Sequence, residues 1–375
     1  MATKETRAHG NAPLKDTPSR LDAVEQPDSG SNAADQPDLL GLEPVELREL
    51  LRLMVLARRF EEKAAESYQL GKIGGFLHLY VGQEAVAAGA ISALRQDDYV
   101  ISAYREHAHA LVRGISARAV MAELYGRADG CSKGMGGSMH LFDRSVNFMG
   151  GHAIVGSHLP IAAGVGYAIR YRGGDQVCLC FFGDAAVNIG AFHESLNMAA
   201  KWELPVIWVI ENNAYGMGTG IQRSAAISQL VDRACSYEGT ASAQVDGMDV
   251  LKVRAAIDEA VRIAREEKRP SLIEAITYRF MGHSMADPSH GTYRAREEVE
   301  EWREDDPILS LCDSLIEAGA MTSEEYEEMD RAVIEEVEES AEFAEASPRP
   351  DESHIYDLVY SDEYPHGLDR RDSWR

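Results

Sequence analysis

Residues 176–182 read QVCLCFF and run directly into Gly183-Asp184-Ala185-Ala186-Val187-Asn188. An unbroken apolar run of this length is what a strand buried on both faces of a parallel sheet requires. Residues 190–202 follow as a helix that puts Phe192, Leu196, Ala199 and Ala200 on one face. Residues 204–210 (LPVIWVI) form a second buried strand, which ends in Glu211-Asn212-Asn213-Ala214-Tyr215-Gly216. Strand, helix and strand make a βαβ unit. It predicts an α/β fold with a doubly wound, mostly parallel sheet flanked by helices.

In a right-handed βαβ unit both strands end on the same edge of the sheet, with their loops side by side. Asp184 follows the first strand and Asn212 and Asn213 follow the second, so positions far apart in sequence close into neighbouring loops. One carboxylate, one amide oxygen and nearby carbonyls then converge. That hard-oxygen set suits Mg²⁺, which takes few protein carboxylates and completes its shell with phosphate oxygens. Gly183 and Gly190 let the chain turn and approach a ligand, and the start of the 190–202 helix aims free amides the same way. Taken singly, an Asp after a strand is commonly a helix cap, and Asn-Asn commonly a turn. Together, in a βαβ context, they predict a cofactor diphosphate site.

Outward from this unit, residues 158–172 read as a helix in which Gly164 and Gly166 permit close backbone approach. Residues 130–156 are a glycine-rich connection that also carries His140 and His152; long irregular segments inside compact domains tend to carry function. Upstream, Leu47, Leu50, Leu51, Met54, Val55, Ala57 and Phe60 recur at helical steps from Glu43 onward. Residues 83–94 read as another helix, with Ala85, Gly89 and Ala93 as a small-residue face. Downstream, residues 250–267 are helical and 271–277 (SLIEAIT) a buried strand. Thr322 and Glu325 have capping-box spacing and open a helix with Tyr326, Met329, Val333, Val337 and Ala341 on its buried side. Its other face is acidic, which reads as a solvated surface or as a dock for a basic partner. The chain thus divides into an N-terminal arm (1–40), an α/β domain (41–320) and a C-terminal helix and tail (321–375), with no internal repeat.

The chain has 375 residues, 45% of them hydrophobic, which is enough for a large core. Its net charge of −25, from 37 basic and 62 acidic side chains, argues against nucleic acid and anionic membrane as partners. Any bound phosphate must then be neutralised locally, by a metal or a placed arginine. Cys131, Cys178, Cys180, Cys235 and Cys312 are scattered and odd in number, and read as thiols of a reducing compartment. No stretch approaches the ~20 apolar residues of a membrane span. The N-terminus has no signal-peptide core and holds Glu5, Asp16, Asp22, Glu25 and Asp28, unlike an acid-poor transit peptide, which points to the cytoplasm. Residues 1–40 carry too little apolar surface to offset their ordering entropy, and read as a disordered leader or tether.

The Gly183-Asp184, Asn188 and Asn212-Asn213 arrangement resembles the thiamine-diphosphate motif, which opens on Gly-Asp-Gly and closes on Asn-Asn. Other stretches resemble E1 α subunits of 2-oxo acid dehydrogenases, those acting on pyruvate in particular. They are GFLHLYVGQEAV from Gly75, AYREH from Ala103, GMGGSMHLF from Gly134 and ENNAYGMGT from Glu211. VDGMDV from Val245, GHSMADP from Gly282 and TYRAREE from Thr292 continue the likeness, which runs from about residue 45 to 365. It implies the thiamine-diphosphate-binding fold, thiamine diphosphate and Mg²⁺ as cofactors, and oxidative decarboxylation of a small 2-oxo acid. It also implies two protein partners: an E1 β subunit, in a heterotetramer of two α and two β chains, and a lipoyl-bearing E2 acyltransferase.

By the same resemblance Asp184 and Asn213 would ligate Mg²⁺ by side chain and Tyr215 by its carbonyl. Arg105 would contact the diphosphate and Tyr104 help hold the cofactor, with Ala153, Val155, Ala185, Ala186 and Gly216 lining its pocket. His283 and His78 would face the reacting centre, His283 orienting or protonating near the substrate oxygen. His107, His140, His152 and His193 read as structural hydrogen bonders, and residues 282–298 as a mobile wall of the site. Ala185 stands where the family has a glycine after the motif aspartate, and Ala153 replaces a glycine of the glycine-rich loop. At a position needing φ > 0 alanine would cost about 1 kcal/mol; at ordinary angles it is tolerated. Acetoin and branched-chain 2-oxo acids are alternative substrates. A non-catalytic α-like subunit is an alternative role, suggested by the two alanines and opposed by intact Asp184, Asn213, Arg105 and His283. A nicotinamide site is excluded: Gly164-Val165-Gly166 has Ile169 where the last glycine of Gly-x-Gly-x-x-Gly belongs.

Overall fold

A computed structural model describes residues 39–354. Nearly all of the N-terminal arm, whose disorder the composition predicts, lies outside the described residues, as does the tail from residue 355. Six strands form one sheet: β1 (Tyr99–Ala103), β2 (Phe148–His152), β3 (Cys178–Gly183), β4 (Val206–Asn212), β5 (Ala241–Asp246) and β6 (Ser271–Ile276). Their order is β2-β1-β3-β4-β6-β5, and every pairing is parallel. The architecture is the α/β, doubly wound parallel sheet expected from the βαβ unit.

Both apolar runs earn their continuity from two cores. Leu179, Phe181, Ile207 and Val209 face one side of the sheet, together with Ile273 and Ala275 of β6. There they meet α1 (Pro44–Gln69), α2 (Glu84–Ser92) and α3 (Ala117–Leu124). Cys178, Cys180, Phe182, Val206, Trp208 and Ile210 face the other side, under α4 (His158–Arg172) and α5 (Gly190–Lys201). The period of two along each strand assigns alternate side chains to opposite faces, so both faces of the two runs are apolar. The cysteines are all free, and burial pushes the Cys178 and Cys180 thiols well up, which keeps them inert.

Several helices begin where the sequence says they should. Glu43 and Glu46 form a capping box at the start of α1, and Thr322 and Glu325 form another at the start of the C-terminal helix Ser323–Ala346. That helix buries Val333, Val337, Ser340, Ala341 and Ala344 against α1 and α3, while Tyr326 and Met329 are half-buried at its rim. The helix Val250–Arg262 ends in a π-helical turn, Ile263–Glu267, so the expected 250–267 helix changes its hydrogen-bond step near the end. None of the described helices is long and apolar enough to cross a membrane.

The expected irregular connection 130–156 contains a strand, β2, whose sequence is FMGGH. Its glycines are there for space. A methyl on Gly150 would stand 2.1 Å from the Phe142 ring, and one on Gly151 would stand 1.7 Å from a Glu106 carboxylate oxygen. Neighbouring side chains fill the room that strand residues ordinarily use, which is why β propensity fails to announce β2.

Candidate active site

Ligands of open α/β sheets bind outside the carboxyl ends of the strands, where the strand order reverses. Here β1 has β2 on one side and β3 on the other, so the reversal falls between β1 and β3. The loops after β1, β2, β3, β4 and β6 meet on that edge and enclose a cavity of about 250 Å³. Tyr104 and Arg105 enter from β1, Val155 from β2, and Asp184, Ala185 and Ala186 from β3. Asn213, Tyr215 and Gly216 enter from β4, and His283 from the segment beyond β6. Ala153 belongs to the same loop as Val155 but is not among the residues lining the cavity. His78 is reached only through its neighbours: its ring lies 4.6 Å from that of Tyr104 and 5.0 Å from that of His283.

The two asparagines after β4 divide their work. Asn212 builds the turn, its Nδ2 donating to Glu274 at 2.8 Å and its Oδ1 accepting from the Ala214 amide at 3.1 Å. Ala214 and Met217 adopt left-handed backbone (φ 69° and 56°), a strained choice for residues with a Cβ that recurs at functional turns. Asn213 instead faces the cavity. Its Nδ2 donates to Gln83 Oε1 at 2.9 Å, and its Oδ1 is buried with no partner among the described residues. An orphaned buried acceptor is costly unless something else meets it.

Asp184 opens the short 3₁₀ turn Asp184–Asn188 and is almost wholly buried. Burial pushes its carboxyl up to about 6, although the Arg279 charge and the amides of Asp184 and Asn213 pull the other way. A carboxylate held short of solvent, beside an unmet amide oxygen, is a donor pair that fits a hard cation. Among the described residues no three His, Cys, Asp or Glu side chains converge on a metal position. A cation at Asp184 and Asn213 would therefore take most of its shell from carbonyls, water or a ligand's oxygens. Mg²⁺ with a diphosphate meets that description.

The local positive charge that an acidic chain needs comes from two buried arginines. Arg105 donates to the carbonyls of Leu79 at 2.5 Å and His283 at 2.8 Å; burial and the Arg279 charge bring it down to about 10. Arg279 reaches the Tyr215 and Met217 carbonyls at 3.4 and 3.3 Å, and its Nε and Nη1 have no partner among the described residues. Glu211 balances them from the end of β4, accepting from the Tyr80 hydroxyl and from His109 Nε2 at 3.1 Å.

Both site histidines sit where the neutral form is favoured. Burial and the charges of Arg105 and other nearby cationic groups lower His283 to about 4 and His78 to about 3. The His283 backbone is held by Asp287, which accepts from its amide at 2.8 Å and from the Tyr293 hydroxyl at 2.8 Å. Arg294 clasps the same loop, donating to the carbonyls of Arg279 and Met281 at 2.6 Å each and of Ser289 at 2.5 Å. His107, His140, His152 and His193 each engage a hydrogen-bond partner outside the cavity lining: Glu61, the Gly151 carbonyl, the Met149 carbonyl and Tyr237.

Neither Ala153 nor Ala185 has positive φ, so both alanines sit at ordinary backbone angles. Ala185 does constrain a neighbour: a methyl on Gly216 would stand 2.7 Å from the Ala185 Cβ. Among the lining residues that sequence reasoning leaves unassigned, four carry polar or charged side chains: Gln83, His158, Glu211 and Arg279. Glu211 carried a usable signal, since it directly precedes Asn212 and pairs in register with Gly183. Gln83, His158 and Arg279 reach the cavity from segments whose approach no local pattern reveals.

A family model described as dehydrogenase E1 component matches residues 52–353. The pyruvate dehydrogenase E1 component subunit alpha of Rhizobium meliloti (strain 1021) is 50% identical over 306 residues, covering 81% of this chain and 87% of the relative. Its counterpart in Zymomonas mobilis subsp. mobilis is 46% identical over 321 residues, 85% of this chain and 90% of the relative. The chloroplastic subunit alpha-3 of Oryza sativa subsp. japonica is 43% identical over 332 residues, 86% of this chain and 77% of the relative.

Proposed function

The chain belongs to the dehydrogenase E1 component family, and from that premise we propose that its carboxyl-edge cavity is the diphosphate half of a thiamine-diphosphate site. Its function is that of a pyruvate dehydrogenase E1 α subunit, an oxidoreductase component of a 2-oxo acid dehydrogenase complex. In this reading Asp184 and Asn213 hold Mg²⁺ by side chain and Tyr215 by its carbonyl. Arg105 and Tyr104 hold the diphosphate, and Val155, Ala185, Ala186 and Gly216 form the wall, with Ala153 at its margin. The observation that carries it is the unmet Asn213 Oδ1 beside the buried Asp184 carboxylate.

Thiamine diphosphate, when bound, supplies the electron sink that decarboxylation of a 2-oxo acid needs. The chain's own residues prepare for it. Arg105 and Arg279 offset phosphate charge, and Glu211 fixes the field on the sheet side. His283, neutral in this setting, orients a substrate oxygen through a hydrogen bond, and His78 backs its ring; a bound diphosphate would raise the proton affinity of both. The loop around His283 excludes water from the reacting end. A β subunit supplies the other half of the site, in a heterotetramer of two α and two β chains, and the acyl group passes to the lipoyl group of an E2 partner. The five free cysteines support a reducing compartment such as the cytoplasm.

Calorimetry of the αβ assembly tests the assignment. Asp184→Asn should abolish Mg²⁺-dependent binding of thiamine diphosphate, and undiminished binding would sink the metal site. Turnover of pyruvate, acetoin and branched-chain 2-oxo acids with an artificial electron acceptor checks the substrate, with pyruvate expected to be preferred.

A further inference from the structure

A carboxamide has two faces of nearly equal shape and opposite chemistry, so a metal-binding asparagine needs something to hold its oxygen forward. Asn213 has little else to decide this. Its backbone is fixed at the end of β4, where the Asn212 carbonyl accepts from the Thr277 amide at 2.9 Å, leaving rotation of the side-chain amide as the remaining freedom. The hydrogen bond the structure gives that amide is the one from Nδ2 to Gln83 Oε1 at 2.9 Å. Oδ1 is thereby turned the other way, buried and unmet.

Gln83 is itself delivered rigidly. It is fully buried at the N-terminal end of α2 and lines the cavity. The preceding Gly82 has φ of +100° and packs so closely that a methyl there would stand 2.5 Å from the Tyr278 carbonyl oxygen. The following Glu84 accepts the Gly82 amide and is bound to Arg58 at 2.5 Å. The backbone on both flanks is thus pinned, and since Gln83 Nε2 is buried with no partner among the described residues, the bond to Asn213 is what the two carboxamides have to orient each other.

We propose that Gln83 is a positioning residue for the cation: by accepting from Asn213 Nδ2 it fixes the Asn213 oxygen toward the metal position. The inference rests on the reading of Asp184 and Asn213 as Mg²⁺ ligands. Partners that orient metal ligands from behind ordinarily affect metal affinity about 10–100-fold. A side chain at position 83 that can only accept should preserve the orientation, and one that cannot hydrogen-bond should lose it.

The test uses the αβ assembly with saturating thiamine diphosphate and Mn²⁺ as a paramagnetic probe, its binding followed by electron paramagnetic resonance. Gln83→Met, similar in length and without an acceptor, should weaken Mn²⁺ binding by about tenfold or more. Gln83→Glu should hold it near the parent value. In an Asn213→Asp background, where either side-chain oxygen can face the metal, adding Gln83→Met should cost little further affinity, a non-additivity that a general packing defect would not produce. Parent-like affinity in Gln83→Met, or an equal loss in Gln83→Glu, would overturn the inference. So would a full additive loss in the double variant. Should Gln83→Met fail to fold, Gln83→Leu, which likewise lacks an acceptor, takes its place, with the same loss of about tenfold expected and parent-like affinity overturning the inference. Asp184→Asn separates the two levels: if it too binds Mn²⁺ normally, the metal site itself is misassigned, and if it alone loses binding, only the role of Gln83 is.

Discussion

Asp184 and Asn213 stand just past the last hydrogen-bonded positions of strands, while His283 stands in an irregular segment beyond β6. The two walls of the cavity are consequently held by different means. Strands β3, β4 and β6 pair residue for residue up to Gly183, Asn212 and Ile276, so the first wall cannot shift without breaking a ladder. The second wall has no ladder. Isolated backbone bonds from Phe280 to Val81 and from Met285 to Leu77 tie it, and Arg294, Asp287 and Arg105 grip the backbone of residues 279–289 through individual side-chain hydrogen bonds. Ladders fail cooperatively, whereas such clasps release one at a time. The end bearing Asp184 and Asn213 is therefore held by ladders, and we propose that the end bearing His283 is the one that opens.

The largest expected effect falls on the laddered part of the sheet, beside the first wall. Gly151→Ala places a methyl 1.7 Å from a Glu106 oxygen at the β1–β2 edge, and should destabilise the subunit by about 3 kcal/mol or more. The denaturant midpoint reads this, and parent-like stability would mean the strand edges yield more than their pairing suggests. On the second wall, Arg294→Met strips donors from three carbonyls and should loosen the loop by about 2 kcal/mol. Thermolysin should then cut within 282–298 faster, while Mg²⁺-dependent cofactor affinity changes far less. Equal changes in both would erase the distinction between the walls.

Asp287→Asn is a milder cut, worth about 1 kcal/mol. Burial pushes the Asp287 carboxyl up, but the His283 amide, the Tyr293 hydroxyl and nearby positive charge outweigh it and hold the carboxyl below its usual range. Its contribution is thus present above the unfolded carboxylate value, near pH ~4, and is lost as pH falls through the folded one. Hydrogen exchange of the loop should show that acid sensitivity in the parent and a flatter profile in the variant. The smallest effect concerns the same β1–β2 edge, read through pH. Burial pushes Glu106 up to about 8, so the folded state keeps its proton. The stabilisation is complete below the unfolded carboxyl value and fades as pH rises through about 8. Glu106→Gln should flatten the fall in Tm between about pH 5 and 8 by a few degrees.

The same contrast governs how far the sequence could be read. QVCLCFF and LPVIWVI announce strands because both of their faces are buried, and with them came the parallel sheet and the edge that carries Asp184 and Asn213. Strand β2 was hidden by glycines that serve the Phe142 ring and Glu106. Strand β5 was hidden because it lies at the sheet's edge, with only Ala241 of its six residues buried. Gln83 and Arg279 share a different concealment: each reaches the cavity from an element distant in sequence from the motif. Their presence there depends on strand order and packing, which no window of sequence contains.

Gly216 has ordinary φ, so its backbone would accept other residues; it is the Ala185 methyl, 2.7 Å from where a Cβ would stand, that forbids one. The two positions are therefore historically ordered. From this sequence, Ala185→Gly opens room that a later Gly216→Ala can fill, but the reverse sequence of changes must pass through a chain whose two methyls overlap. Variation at this corner of the site is a ratchet: 185 must move first, and any library that varies 216 alone will return glycine.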